Sequence, residues 1–69
     1  MNYVLRSFDV IKDEKVLAHF ELFRRGYVNE VRTETETIHT GAFADQKYEE
    51  CLETNKQLAA LIGATVVIK

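Results

Sequence analysis

The side chains best suited to chemistry are few: one cysteine, Cys51, and two histidines, His19 and His39. A nucleophilic cysteine needs a base beside it, and nothing in the sequence brings either histidine to Cys51. Cys51 also falls on the apolar stripe of a predicted helix, where a cysteine usually acts as a small hydrophobic residue. The two histidines lack the H-x-H or H-x-x-x-H spacing of metal sites. We therefore predict no catalytic residue, no metal site and no cofactor.

A second group has the composition of an anion site. Arg24 and Arg25 precede Gly26 and Tyr27, and Arg32 follows further along the chain. Guanidinium groups beside an aromatic ring suit contact with a nucleotide or another phosphate ligand. An arginine pair at the end of a strand is also a common protection against edge-to-edge pairing. The candidate ligand-binding residues are therefore Arg24, Arg25, Tyr27 and Arg32, with the protective role as the alternative.

Length and composition describe one small domain, residues 1–69. The net charge of -2 gives no field that would draw the chain to nucleic acid or to an anionic membrane. A single cysteine excludes a disulfide within the chain. No apolar run approaches the roughly 18 residues of a membrane span, and residues 1–7 lack the features of a signal peptide. We expect a cytoplasmic protein without a membrane partner.

Two β-rich runs, residues 3–12 and 16–25, flank the polar residues 13–15 and predict a hairpin. Apolar residues recur every three positions in the second run, so a short helix over residues 16–25 is the alternative.

The matching of side chains across the hairpin favours one register. A three-residue loop pairs Phe8 with Phe20 and Asp9 with His19, which matches like with like. A two-residue loop would instead pair Phe8 with His19 and scatter the apolar groups. The three-residue loop is therefore predicted, with Lys15 in the left-handed position at a cost of about 1 kcal/mol.

Three further elements follow. Residues from Tyr27 to His39 alternate with a period of two and predict one long strand. Helical spacing then begins at Asp45, the predicted N-cap, and ends at Gly63, the predicted left-handed C-cap. Residues 65–69 predict a final strand, covered on both faces because three apolar residues are consecutive. The expected order is β-β-β-α-β, an α+β two-layer domain with a mostly antiparallel sheet and one helix on one face.

The hairpin carries apolar residues on both of its faces, although one helix covers only one. The other face holds Leu5, Ile11, Leu17 and Phe23, which we predict as an interface because exposed apolar patches usually mark one. The alternative is an ordinary half-polar surface, since polar residues are interspersed on the same face: Ser7, Asp9, His19 and Glu21.

These observations predict a small non-catalytic interaction protein that self-associates, most simply as a homodimer through this sheet face or through strand edges, and that binds a protein partner. Glu30, Glu34 and Glu36 on one strand face suit a basic surface. Short chains without motifs are frequent among phage and mobile-element products that inhibit or modulate a host macromolecule. The alternative function is a nucleotide or phosphate-ligand binding protein that holds its anionic ligand with the Arg/Tyr cluster at a dimer seam.

Overall fold

The computed structural model describes all 69 residues and contains five strands and one helix. The elements in chain order are β1 (Asn2–Lys12), β2 (Lys15–Arg25), β3 (Val28–Thr33), β4 (Thr37–Thr40), α1 (Ala44–Ile62) and β5 (Thr65–Ile68). The strands form one antiparallel sheet in the order β4-β3-β2-β1-β5, and α1 packs on one face of it. The predicted α+β class is confirmed, with one strand more than expected. The single helix, α1, does not have the continuous apolar length that a membrane-spanning helix requires.

The centre of the β1–β2 hairpin has the predicted register, but its loop is one residue shorter. Phe8 pairs with Phe20, while Asp13 and Glu14 alone form the turn, both with positive φ (52° and 65°). Two positive φ angles define the tight turn that suits the twist of a hairpin. A β-bulge at Leu17 adds one residue to β2, so the pairs from Val10–Ala18 onward have the same register that a three-residue loop would give. Because β2 is a strand throughout, the short-helix alternative is also wrong.

The single strand predicted from Tyr27 to His39 is wrong, because the chain reverses at residues 34–36. The hydroxyl of Thr33 accepts hydrogen bonds from the backbone N–H groups of Thr35 (3.3 Å) and Glu36 (3.2 Å). The Thr33 N–H donates to the Glu36 carbonyl over 2.8 Å. A threonine that satisfies nearby backbone donors in this way stabilises a turn without glycine or proline. The alternation of side-chain types continues through residues 34–36, so the sequence does not reveal this turn.

Helix α1 begins earlier than predicted and ends as predicted. Phe43 occupies the N-cap position with a φ of 67° and provides no side-chain cap, whereas Asp45 lies in the first turn and accepts a hydrogen bond from Asn29 (2.9 Å). Gly63 has the left-handed conformation of a C-cap (φ 72°), and its N–H donates to the Ala59 carbonyl. Asp45 therefore ties the helix start to β3 and does not cap it.

Tyr48 lies at the centre of the core between α1 and the sheet. Its ring meets Phe8 edge-on at a centroid distance of 5.7 Å, and Phe8 stacks on Phe20 at 5.0 Å. The Arg6 guanidinium lies 5.0 Å from the centroid of the Tyr48 ring. Burial raises the pKa of the Tyr48 hydroxyl, which has no hydrogen-bond partner. This aromatic cluster joins α1 to β1 and β2.

The final strand, β5, is an edge strand beside β1, and its predicted coverage on both faces is wrong. Val67 is 38% exposed and Ile68 is 54% exposed. Three consecutive apolar residues here do not indicate burial within the chain.

We expect Glu14→Gly to stabilise the fold and Lys15→Gly not to. Glu14 holds the left-handed conformation that favours glycine, and relief of this strain exceeds the entropic cost of glycine by about 0.5 to 1 kcal/mol. Lys15 is the first residue of β2, where glycine weakens a strand. Urea denaturation measures both variants. Stabilisation by Lys15→Gly alone would contradict the two-residue turn.

Candidate functional site

The face of the sheet opposite α1 carries a polar cleft, and we call this face the open face because no helix or strand of the structure covers it. Residues paired directly across antiparallel strands share a face, which places Asp9 with His19 and Glu21 with Arg32. These four residues line a cleft of about 750 Å³, together with Lys69 and the β3–β4 turn. Acidic, basic and imidazole side chains therefore lie together on the open face: Asp9, His19, Glu21, Arg32 and Lys69.

A chain of ion pairs crosses the open face from β5 to β3. The Lys69 ammonium lies 2.7 Å from one carboxylate oxygen of Asp9, and His19 Nδ1 lies 2.6 Å from the other. His19 Nε2 is 3.0 Å from Glu21 Oε1, and Arg32 donates to Glu21 Oε2 through Nε (2.9 Å) and Nη2. Each charged group has an opposite partner, so the network is satisfied internally.

The pKa values of three groups shift in the direction expected for these contacts. The hydrogen bonds to Asp9 and then to Glu21 raise the pKa of His19, although burial opposes them. The hydrogen bond from Lys69, followed by that from His19, lowers the pKa of Asp9. Burial would raise the pKa of Glu21, but hydrogen bonds from His19 and Arg32 outweigh it and the net shift is downward. The network therefore favours an imidazolium between two carboxylates.

His19 is poorly arranged for acid–base catalysis. A general base needs one unprotonated ring nitrogen within reach of the substrate. Both ring nitrogens of His19 instead contact carboxylates, and a protonated imidazole donates from both. The geometry gives His19 an electrostatic role, in which it links two strands.

Phe23 is the centre of a second cluster on the open face. The Arg32 guanidinium lies 3.6 Å from the Phe23 ring centroid and that of Arg25 lies 5.4 Å away. Arg25 Nε also donates to the buried carboxylate of Glu30 over 2.9 Å. Cations placed against an aromatic ring contribute about 0.5 to 1 kcal/mol at exposed sites. Phe23 is thus covered by the chain's own arginines.

The predicted anion-binding residues do not converge. The structure brings Arg25 and Arg32 together around Phe23, but Arg24 lies on the face that carries α1, where it pairs with Asn29. Tyr27 lies in the β2–β3 turn and is 96% exposed. The guanidinium groups of Arg25 and Arg32 each pair with a glutamate, so an anion would have to compete with those carboxylates.

The predicted interface residues lie at the two ends of the hairpin. Phe23 and the bulged Leu5 are at one end, and Ile11 and the bulged Leu17 are at the other. Leu17 is 53% exposed, and Leu5 is also exposed. The ion-pair network separates the two ends. The open face therefore has apolar ends and a charged centre, which matches the half-polar alternative more closely than one continuous apolar patch.

Cys51 and His39 are also far from a catalytic arrangement. Cys51 is half-buried against the core, and burial raises the pKa of its thiol, which disfavours the nucleophilic thiolate. His39 Nε2 lies 2.7 Å from the Ala42 carbonyl. No group of three or more histidine, cysteine, aspartate or glutamate side chains has the arrangement of a metal site.

Two members of the network, Glu21 and Lys69, were not predicted as partners of Asp9 and His19. Glu21 lies two residues beyond His19 on one strand, and residues two apart on a strand lie on the same face. This spacing was the signal in the sequence that could have identified Glu21. Lys69 reaches Asp9 because β5 pairs with β1, and strand order of this kind is not visible in the sequence.

We expect the free energy of unfolding to fall as the pH rises above about 6.5. The folded-state pKa of His19 lies above its ordinary value of 6.5, so its stabilising effect is complete below that value and is lost as the pH passes through the folded pKa. Asp9 and Glu21 act in the opposite sense, because their stabilising effect is lost as the pH falls through their lowered pKa values.

Urea denaturation between pH 5 and pH 9 measures this slope. His19→Gln should flatten it, whereas the matched control His39→Gln should keep it because the open-face network remains intact. An unchanged slope in His19→Gln would show that His19 does not control the alkaline loss of stability.

Comparison with protein-family models, with curated proteins and with solved structures found no match. The function is therefore inferred from the geometry of the open face and from the apolar surface of the chain.

Proposed function

We propose that this chain is a small non-catalytic interaction protein that associates with itself, most simply as a homodimer. One observation carries the proposal: fifteen large hydrophobic residues are exposed, whereas only eight hydrophobic residues are buried. A 69-residue chain buries a smaller share of its surface than a larger domain does, and chains of this size commonly gain stability from oligomerisation. A second copy would remove part of the exposed apolar surface from water at about 25 cal/mol per Å².

The chemistry of the polar residues supports a non-catalytic role. Both ring nitrogens of His19 are engaged, and burial holds Cys51 as a thiol. The ion pairs of the open face neutralise each other. These groups stabilise the sheet in their present arrangement and leave no nucleophile beside a base.

The β3–β4 turn is the best candidate for contact with a different macromolecule. Glu34 and Glu36 are exposed there, at the rim of the cleft. Glu30, which the sequence grouped with them, is buried and paired with Arg25, so it is not available. A basic protein surface would complement this rim. We propose that the chain inhibits or modulates a host macromolecule in the cytoplasm, in the manner of phage or mobile-element products.

The alternative of a nucleotide or phosphate ligand has weaker support. Arg24, Arg25, Tyr27 and Arg32 are dispersed, and the two arginines on the open face are already paired with carboxylates. We therefore propose interaction with proteins, and not ligand binding, as the function.

Sedimentation equilibrium at micromolar concentration tests self-association. We expect a species of about twice the 8.0 kDa chain mass, which dissociates on dilution. A single 8.0 kDa species throughout the micromolar range would refute the proposal.

A further inference from the structure

Building on the proposed self-association, we infer that two copies join through the edges of their β5 strands and form one continuous antiparallel sheet. The partner is a second copy of this chain, related by a two-fold axis perpendicular to the sheet. Of the two interfaces that the sequence indicates, this arrangement uses a strand edge and leaves the open face uncovered.

The two edges of the sheet are protected to different degrees. Proteins commonly protect an edge strand with charges, a proline or a bulge. At the β4 edge, the register with β3 shifts between Val31 and Arg32, which distorts the pairing. The register between β5 and β1 is regular over all four pairs, and β5 contains neither a charge nor a proline. β5 is therefore the less protected edge and the better site for pairing with another strand.

The charge pattern favours a copy of the same chain as the partner. A two-fold interface brings each surface against itself, so any charge near the axis repels its own copy. Residues 57–68 contain no charged side chain. The next residue, Lys69, directs its ammonium to Asp9 on the neighbouring strand, at 2.7 Å. The end of α1 and all of β5 thus form a neutral, self-compatible surface.

The hydrogen bonds of β5 determine the register of the pairing. The Lys69 N–H donates to the Ser7 carbonyl of β1 over 2.9 Å. Because the backbone groups of successive residues point to opposite sides of a strand, those of Val67 also point toward β1. The N–H and C=O groups of Val66 and Ile68 therefore point outward at the edge, without a strand to pair with.

One symmetric register uses all of these outward groups. Val67 faces Val67 of the second copy in a non-hydrogen-bonded pair, and Val66 of each copy pairs with Ile68 of the other. The two Val66–Ile68 pairs supply four hydrogen bonds across the axis. The same pairing covers Val67 and Ile68, which are 38% and 54% exposed in the single chain. Backbone pairing and burial of apolar surface thus favour the same dimer.

Disulfide trapping tests this register. In a Cys51→Ser background, Val67→Cys places two thiols in a non-hydrogen-bonded pair with Cα atoms about 4.5 Å apart, within the range that a disulfide bridges. We expect mild oxidation to give a covalent dimer in high yield. The matched control, Ile68→Cys, lies diagonally to its own copy at about 7 to 8 Å and should cross-link poorly. Leu17→Cys, on the exposed hairpin end, reports random collisions.

Cross-linking of Val67→Cys at the level of Leu17→Cys, or below that of Ile68→Cys, would overturn the inferred register and interface. Thermal melts of the reduced variants show whether each one folds. Covalent trapping of Leu17→Cys alone would assign the interface to the open face.

Charge variants distinguish a β5 interface from self-association through another surface of the chain. Val67→Lys should shift the chain to a monomer in sedimentation, an equimolar mixture of Val67→Lys with Val67→Glu should restore the dimer, and Leu17→Lys should remain dimeric. A dimer that persists in Val67→Lys would refute the β5 interface and leave self-association standing. A monomeric wild-type chain would refute both, and would leave the β5 edge to an extended segment of a different protein.

Discussion

One helix can cover only one face of a five-stranded sheet, so the opposite face of this sheet has no second layer. Helix α1 buries Tyr48, Leu52 and Ala59 against the sheet, and eight buried hydrophobic residues are all that the chain gathers in its core. Tyr48 is the largest of them, and its edge-on contact with Phe8 joins the two layers. The open face of the sheet must therefore be stabilised without a second layer.

The open face has no second layer, and it carries paired charges and one aromatic ring that arginines cover. A chain of ion pairs, with His19 at its centre, connects β5 through β1 and β2 to β3, and two arginines cover Phe23. Partly buried pairs of this kind gain Coulomb energy but lose solvation, so their net contribution is modest. Their main effect is to make the centre of this face polar. The apolar surface that remains is at the hairpin ends, on α1 and along β5.

The sequence predicted the features that periodicity and residue type reveal, and missed those that leave the alternation of side chains unchanged or that depend on strand order. The class, the pairing of Phe8 with Phe20, and Gly63 as the C-cap were all apparent from periodicity and residue type. The two bulges, at Leu5 and Leu17, were not apparent because a bulge leaves the alternation on each side intact. The β3–β4 turn was missed because Thr33 replaces the usual glycine or proline. Lys69 reaches Asp9 only because β5 returns beside β1.

We propose that the chain completes its sheet by pairing β5 with a second copy. Amide hydrogen exchange at Val66 and Ile68, measured residue by residue by NMR as a function of protein concentration, distinguishes the paired edge from a free one. Pairing of β5 with a second copy predicts that both amides exchange rapidly in dilute samples and become protected together as the dimer forms, while Val67, paired with β1, is protected at every concentration. Rapid exchange of Val66 and Ile68 in a sample that is fully dimeric would contradict it.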